Sequence, residues 1–304
     1  MVAAFRLRRL TRSERKALVT GLLFTSPWIV GFLAFRVYPF LASLYYSFTF
    51  YPILDRPKWI GLDNFRALME DPRFLNSLYN TAYYALGSVP LATVVGIGLA
   101  MLLNARVRGL SFFRTIYFLP SITPVVATAI VWLWMFDPIN GVINYVLDLV
   151  GVQGPGWMGS PRWSKPALIL MSMWGVGGAV VIYLASLQDV PRELLEAAEL
   201  DGANGRQKIW YVTLPMISPV ILFNVVTGLI GAFQFFTEVH VMTGGTGSPA
   251  DSTLMMSIYL YQTAFQFFKL GYASAQAWVL FMIVVLFTIL LFRLSGRLVY
   301  YGGR

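Results

Sequence analysis

Six long stretches of the chain contain no Asp, Glu, Lys or Arg, and they constrain the fold more than any other feature. The stretches are 17–35, 74–105, 115–136, 166–188, 209–237 and 270–292. Each has about the 20 apolar residues that a helix needs to cross a bilayer. A membrane environment is favoured over a soluble fold because only 12% of the residues are charged, where soluble domains carry about 25%. The sequence therefore predicts an all-α membrane protein with six transmembrane helices.

The apolar pattern also predicts where each span begins and ends. Residues 17–54 are interrupted only by Arg36; they are too long for one crossing and too short for two crossings with a turn. We therefore expect one long first helix whose outer end protrudes, with Arg36 snorkelling at the interface. The uncharged segment 252–268 carries Ser, Thr, Gln and Tyr throughout, which favours an interfacial or extramembrane helix over a seventh span. The predicted spans are about 17–48, 74–105, 115–136, 166–188, 209–240 and 270–294, within one transmembrane domain covering 1–304.

The distribution of Lys and Arg predicts the topology. With six spans, 15 of the 23 basic residues fall on the side of the N-terminus and seven on the other side. Basic residues are concentrated in cytoplasmic loops, so both termini are expected in the cytoplasm. The basic segment before the first span also resembles the start of a signal peptide. Its apolar run is longer than a signal peptide's and no clear small-residue cleavage site follows, so we expect an uncleaved span.

The loop 189–208 differs from the rest of the chain because it is rich in charge. Pro191 suits the first turn of a helix, and the following "RELLEAAEL" consists of strong helix formers. Gly202 breaks this helix, and Asn204 with Gln207 has the form of a capping box that starts a second one. An amphipathic hairpin on lipid headgroups is one interpretation. The first helix is acidic, however, and an anionic leaflet would repel it, so a protein partner fits better.

The spacing within and after this loop resembles a known family. Glu196-Ala197-Ala198, three residues, Gly202, nine residues and Val212-Thr213-Leu214-Pro215 is similar to the EAA loop of permease subunits of binding-protein-dependent ABC importers. The usual pattern has Ile where this chain has Val212. Four further stretches resemble the carbohydrate-importer branch, of the maltose and glycerol-phosphate permease type: "IGLDNFRAL" (60–68), "FFRTIYFLPSITPVV" (112–126), "IGAFQFFTEVHVMTGG" (230–245) and "LGYASAQAWVLF" (270–281).

The resemblance implies the ABC type I importer permease fold and a division of labour among several subunits. The coupling loop, 189–212, would hold an EAA helix that docks into an ATPase subunit. The residues implied in this coupling are Glu196, Ala197, Ala198, Gly202, Val212, Leu214 and Pro215. The implied partners are a second homologous permease, two ATP-binding cassette ATPases and an extracytoplasmic solute-binding protein, in a prokaryotic inner or plasma membrane. The chain contains no G-x-x-x-x-G-K-[ST] motif, so ATP and Mg²⁺ are expected on the ATPase partners and no cofactor on this chain.

The resemblance also implies a substrate pathway on the fourth and fifth spans. The maltose-type contacts correspond to Met173, Trp174, Gly175, Gly178, Gly228, Gly231, Ala232 and Phe235. Positions that are polar or aromatic in the maltose-type site are Gly or Ala here, which argues against maltose itself. Either the cavity is wider, or the partner permease supplies the contacts; the glycines also fit close helix packing alone.

Four polar residues of the fifth span are further candidates. Asn224 and Gln234 fit either the cavity lining or hydrogen bonds between helices. Glu238 and His240 fit an interfacial pair better than a proton relay. The predicted pathway is Trp174, Gly175, Gly178, Asn224, Gly228, Gly231, Gln234, Phe235 and Glu238.

Other functional classes explain the sequence less well. The chain has no Cys and a single His, so a hydrolase dyad or a multi-His metal centre is poorly supported. An ion-gradient-driven secondary transporter or a channel could have six spans, but neither accounts for the EAA spacing. The sequence therefore predicts a non-enzymatic sugar-transport subunit, with a carrier or channel as the alternative.

Overall fold

The computed structural model describes residues 11–105 and 109–300, and most of these are helical. The α-helices are Arg12–Phe32 (α1), Tyr38–Ser47 (α2), Asp63–Glu70 (α3), Pro72–Asn104 (α4), Leu110–Phe118 (α5), Val125–Met135 (α6), Val142–Leu149 (α7), Ser164–Ser172 (α8), Gly177–Gln188 (α9), Arg192–Leu200 (α10), Gly205–Lys208 (α11), Leu214–Phe233 (α12), Thr237–Thr243 (α13), Met256–Tyr261 (α14) and Leu270–Leu298 (α15). Short 3-10 turns lie at Leu119–Ile122, Trp157–Gly159 and Met173–Gly175, and π-helical segments at Leu33–Val37, Ile209–Thr213 and Gln262–Gln266. Strands Thr49–Phe50 (β1) and Lys58–Trp59 (β2) pair antiparallel.

The described helices account for all six apolar stretches. Four are long and apolar enough to cross a bilayer, namely Arg12–Ser47, Pro72–Asn104, Gly205–Thr243 and Leu270–Gly296. Two bent helix pairs meet the same criterion if each is one span: Leu110–Ile122 with Val125–Met135, and Ser164–Gly175 with Gly177–Gln188. The predicted first span corresponds to the 36 residues Arg12–Ser47, with Arg36 in the π-helical segment. The basic residues before Thr11 that entered the topology argument lie outside the described residues.

The third and fourth spans are broken, where the sequence suggests uninterrupted runs. The two parts of the third span meet at 101°, and those of the fourth at 50°. Pro120 and Pro124 flank the first break and lack the backbone N–H that would continue the helix. In the fourth span a 3-10 turn precedes Gly177, whose missing side chain lets the backbone approach the carbonyl oxygen of Tyr117. Both breaks lie beside the same internal cavity.

The segment 252–268, where the sequence favours an interfacial or extramembrane helix over a seventh span, is not among the helices that could cross a bilayer in the described part of the chain. Most of it is buried in the bundle, and residues 265–268 are exposed. It contains the short helix α14 and the π-helical segment that follows. Met256, Ile258, Gln262 and Thr263 are buried. The segment packs against α4 and α15, so several of its polar side chains lie inside the protein.

Two hydrophobic clusters stabilise the bundle around α4, which contacts α8, α9 and α12. One cluster joins α4, α9 and α12 near the loop 189–208 and includes Leu103, Tyr183 and Ile217. The other lies at the opposite end, which we call the distal end, and includes Phe74 and Phe136. The cavity described below lies between helices that contribute to both clusters.

The distal end is held together by hydrogen bonds to the loop 244–255. Asn80 is fully buried; its Nδ2 donates to the carbonyls of Asp251 (2.8 Å) and Leu254 (3.1 Å), and its Oδ1 accepts from Lys165 Nζ at 3.0 Å. Arg73 adds two contacts to the Asp251 carboxylate, at 3.1 and 3.2 Å. The loop has left-handed backbone at several positions and could not form regular structure of its own. Side chains of α4, together with Ser164 and Lys165 of α8 and with Gln262, therefore hold it in position.

We expect Asn80→Ala to destabilise the protein by about 2–4 kcal/mol, because it leaves the buried Leu254 carbonyl without its donor, removes one of two donors to the Asp251 carbonyl and takes away an acceptor of Lys165 Nζ. Asn76→Ala is the matched control, since Asn76 is only half-buried and donates one bond, to the Asp251 carbonyl at 2.9 Å. Thermal unfolding of the detergent-purified complex measures both. Equal destabilisation by the two variants would contradict the central role given to Asn80.

Asp71 forms a second group of hydrogen bonds that connects helices at the distal end. Its Oδ2 accepts from the hydroxyls of Tyr259 (2.6 Å) and Tyr272 (2.8 Å), and its Oδ1 accepts from the backbone N–H of Arg73 (2.9 Å). Burial acts to raise the pKa of Asp71 and is the largest single influence. The hydrogen bonds to the carboxylate together outweigh it and lower the pKa. Asp71 therefore stays ionised and joins α4 to α14 and α15.

Candidate functional site

A cavity of about 570 Å³ lies between four of the spans. The residues that line it come from α4, from both halves of the broken third and fourth spans, and from α12 with the turn after it. Its lining combines aromatic rings with hydroxyl and amide groups, the surfaces that bind polar organic solutes in a largely apolar pocket. The polar lining residues are Tyr84, Ser88, Thr93, Ser121, Thr123, Thr128, Ser172, Tyr183, Asn224, Thr227 and Glu238.

Aromatic rings contribute to two sides of the cavity. The ring of Tyr84 stacks on that of Phe235, with centroids 4.2 Å apart and planes 13° from parallel. Trp174 contacts Trp132 edge to face at 6.0 Å, and 42% of its surface is exposed. Trp132 and Tyr84 are buried and hold the positions of their partners. Such rings suit the apolar faces of a sugar ring.

The end of α12 places two lining residues. The helix ends at Phe233, and the chain leaves helical geometry before α13 begins at Thr237. Phe235 lies in this break and Glu238 in the first turn of α13, and both line the cavity. Val239 and Met242 are buried in the distal cluster, which fixes α13 in place.

Seven of the nine predicted pathway residues come together at this cavity. They are Trp174, Gly175, Asn224, Gly228, Gly231, Phe235 and Glu238. Gly178 and Gln234 do not line it. A Cβ on Gly231 would meet no atom within 4 Å, whereas one on Gly228 would touch Val89 at 3.5 Å, so Gly228 also serves packing.

Glu238 and His240 do not form the expected pair. Glu238 lines the cavity, while the His240 ring stacks on Phe236 at 5.0 Å and meets Tyr261 edge-on at 5.3 Å. The two residues are two positions apart on a helix, a spacing that does not place side chains on one face.

Sequence reasoning missed the part of the site on the second and third spans. Tyr84, Ser88 and Thr93 line the cavity from α4, and Ser121 and Thr128 from the third span. Polar residues inside a span are a functional signal in themselves. The stretch 74–105 carries that signal in its sequence, whereas the resemblance implies contacts on the fourth and fifth spans only.

The loop 189–208 forms a helix, a glycine turn and a second helix at the end opposite the distal loops. Gly202 has φ +84° and closes α10 with a Schellman motif. In this motif the N–H of Gly202 donates to Glu199 O at 3.0 Å and that of Ala203 to Ala198 O at 2.9 Å. The predicted capping box is present, with Gln207 N donating to Asn204 Oδ1 at 3.0 Å and Asn204 N to Gln207 Oε1 at 2.8 Å.

The predicted coupling residues divide into an exposed set and a packed set. Glu196, Ala197 and Gly202 are exposed, whereas Val212, Leu214 and Pro215 are half-buried at the start of the fifth span. Ala198 is half-buried, and the adjacent Leu195 packs on the cluster near this loop. One face of α10 is therefore anchored to the bundle while the other is open.

An apolar helical bundle, a cavity with polar side chains in its lining and a protruding helical loop fit a membrane permease subunit. The chain belongs to the family "Binding-protein-dependent transport system inner membrane component", whose model matches residues 92–300. It is therefore a multi-pass membrane protein of the importer permease class.

Individual relatives match over nearly the full chain. It is 44% identical over 297 residues to the probable ABC transporter permease protein YesP of Bacillus subtilis (strain 168), covering 97% of this chain and 96% of that one. It is 37% identical over 280 residues to the lactose transport system permease protein LacF of Rhizobium radiobacter, covering 90% and 93%. In fold it is similar to a chain of a bacterial alginate ABC transporter crystallised with an alginate pentasaccharide-bound periplasmic protein. That match has a TM-score of 0.82 and 24% identity, and covers 97% of this chain and 100% of the other.

Proposed function

We propose that this chain is the membrane-spanning subunit of an ATP-driven importer that carries a sugar or oligosaccharide into the cytoplasm. The observation that carries the proposal is the loop 189–208, in which a rigid acidic helix with an open face projects from the bundle. The family membership and the hydroxyl-lined cavity support it.

The open face of the loop supports a role for a protein partner. Glu196 and Ala197 lie on that face, and the small Ala side chain permits close approach by another surface. Leu200 is 89% exposed and Tyr211 79% exposed nearby, which adds apolar area that a partner could cover. We infer that an ATPase subunit binds here and that its movements reach the cavity through the fifth span.

The cavity supports a saccharide as the transported solute. Its hydroxyl and amide side chains can exchange hydrogen bonds with sugar hydroxyls, while Trp174 and Phe235 offer ring faces. Relatives described as permeases for lactose, for starch degradation products and for arabinooligosaccharides are 30–37% identical to this chain. Those descriptions favour a sugar here as well.

Several partners follow from the proposal. They are a second homologous permease that completes the cavity, two ATPase subunits that bind ATP and Mg²⁺, and an extracytoplasmic solute-binding protein. The loop 189–208 and both termini would lie in the cytoplasm of a prokaryotic cell, and the distal end would face the binding protein.

The test is purification of the chain from its native host in mild detergent, followed by mass spectrometry and by uptake assays in proteoliposomes. We expect a P-loop ATPase and a second EAA-bearing permease to co-purify, and saccharide uptake to require ATP. Isolation of the chain alone, or uptake driven by an ion gradient without ATP, would instead establish a secondary carrier or channel.

A further inference from the structure

Glu238 has an isolated position among the residues that line the cavity. The described lining residues include no Lys, Arg or His, and Glu238 is the one with a charged side chain. Among the described residues, no basic group forms an ion pair with it within 4.0 Å. Because no such group neutralises it, the Glu238 carboxylate is available to interact with a solute in the cavity.

Three basic groups in the described part of the chain have partners other than Glu238. Lys165 donates to Asn80 and to the Ser252 carbonyl, and Arg73 pairs with Asp251, so both serve the loop 244–255. His240 follows Glu238 on α13, but its ring is packed between Phe236 and Tyr261. The described residues of this chain that line the cavity therefore carry a net negative charge when Glu238 is ionised.

Packing on both sides of Glu238 holds its backbone in place. The buried Val239 and Met242 anchor α13, and the preceding Phe235 is stacked on Tyr84. A carboxylate has two oxygens and accepts hydrogen bonds only, which matches the hydroxyl donors of a sugar. Hydrogen bonds to an ionised acceptor are stronger than neutral ones, whereas an ionised Glu238 repels a second carboxylate placed beside it.

We propose that Glu238 is a specificity-determining residue that accepts hydrogen bonds from uncharged saccharides and excludes saccharides bearing carboxylates. The inference rests on the proposed function, because it names the class of sugar that this site admits. It assigns charge selection to this chain in addition to any selection by the binding protein.

The experiment uses the whole transporter in nanodiscs without its binding protein, so that only the membrane site selects. The probes are maltotriose and galactotriose, each compared with its counterpart in which the C6 alcohols are oxidised to carboxylates. Affinity is followed by intrinsic tryptophan fluorescence, since Trp174 lines the cavity. We expect the wild type to bind at least one uncharged probe about tenfold or more tightly than its oxidised counterpart.

Glu238→Gln keeps the size of the side chain and removes its charge. We expect it to reduce the preference to about threefold or less, mainly by tightening the binding of the oxidised probe. Glu70→Gln, at an exposed acid on α3, makes the same change in net charge away from the cavity and should leave the preference unchanged.

An unchanged preference in Glu238→Gln would overturn the inference, as would tighter binding of the oxidised probes by the wild type or no binding of either kind. If ATP-dependent saccharide uptake persists in those cases, the proposed function stands and only the role of Glu238 falls. If no ATPase co-purifies and no saccharide is taken up, the proposed function itself fails and this inference fails with it.

Discussion

Gly202→Pro is expected to reduce saccharide uptake by about 100-fold or more while leaving the basal ATP hydrolysis of the complex in place. Gly202 has φ +84°, and its N–H donates to Glu199 O in the turn that ends α10. Proline fixes φ near −65° and has no N–H, a conflict that costs roughly 3 kcal/mol where it disrupts a helix. Because about 1.4 kcal/mol corresponds to a factor of ten in an equilibrium constant, this cost lowers the population of the native α10 turn by about 100-fold.

The assay compares ATP-dependent uptake with ATP hydrolysis in the same proteoliposomes. Gly205→Ala is the matched control, because Gly205 lies in α11 and a Cβ there would meet no atom within 4 Å. It should retain nearly full uptake. Full uptake by Gly202→Pro, in a complex assembled at normal yield, would show that the turn has no part in coupling.

Gly231→Trp is expected to block the cavity and reduce uptake on the order of tenfold or more. A Cβ at Gly231 projects into open space within the cavity of about 570 Å³, so the indole would occupy the space that the solute needs. Overpacking a filled site costs about 1–3 kcal/mol, which corresponds to roughly a fivefold to 150-fold loss of occupancy.

Gly98→Trp is the matched control for this obstruction. A Cβ on Gly98 also meets no atom within 4 Å, but this residue lies on an exposed face of α4 and does not line the cavity. Uptake and complex yield are measured for both variants. An equal loss of uptake in the two would indicate a general effect of the bulky residue, and unimpaired uptake in Gly231→Trp would place the solute path elsewhere.

The clearest success of sequence analysis was the loop 189–208. The glycine turn after α10 and the Asn204–Gln207 capping box depend on residues no more than five positions apart, so the pattern of residue types is sufficient to predict them. The same locality explains the six apolar stretches, because bilayer insertion depends on the hydropathy of a continuous segment. The breaks at Pro124 and Gly177 were not predicted as bends, since their angles depend on the neighbouring helices.

The sequence by itself determined the helical membrane class, the positions of the apolar stretches, and the helix–turn–helix loop with its caps. Only the tertiary structure decided that Glu238 lines a cavity while His240 packs against aromatic rings, that α4 contributes Tyr84, Ser88 and Thr93 to that cavity, and that Asn80 holds a loop about 170 residues away. The physical reason is the range of the interactions. Hydropathy and capping act over a few neighbouring residues, whereas a cavity is the space left between helices after they have packed, and its lining is set by bends and contacts between distant parts of the chain.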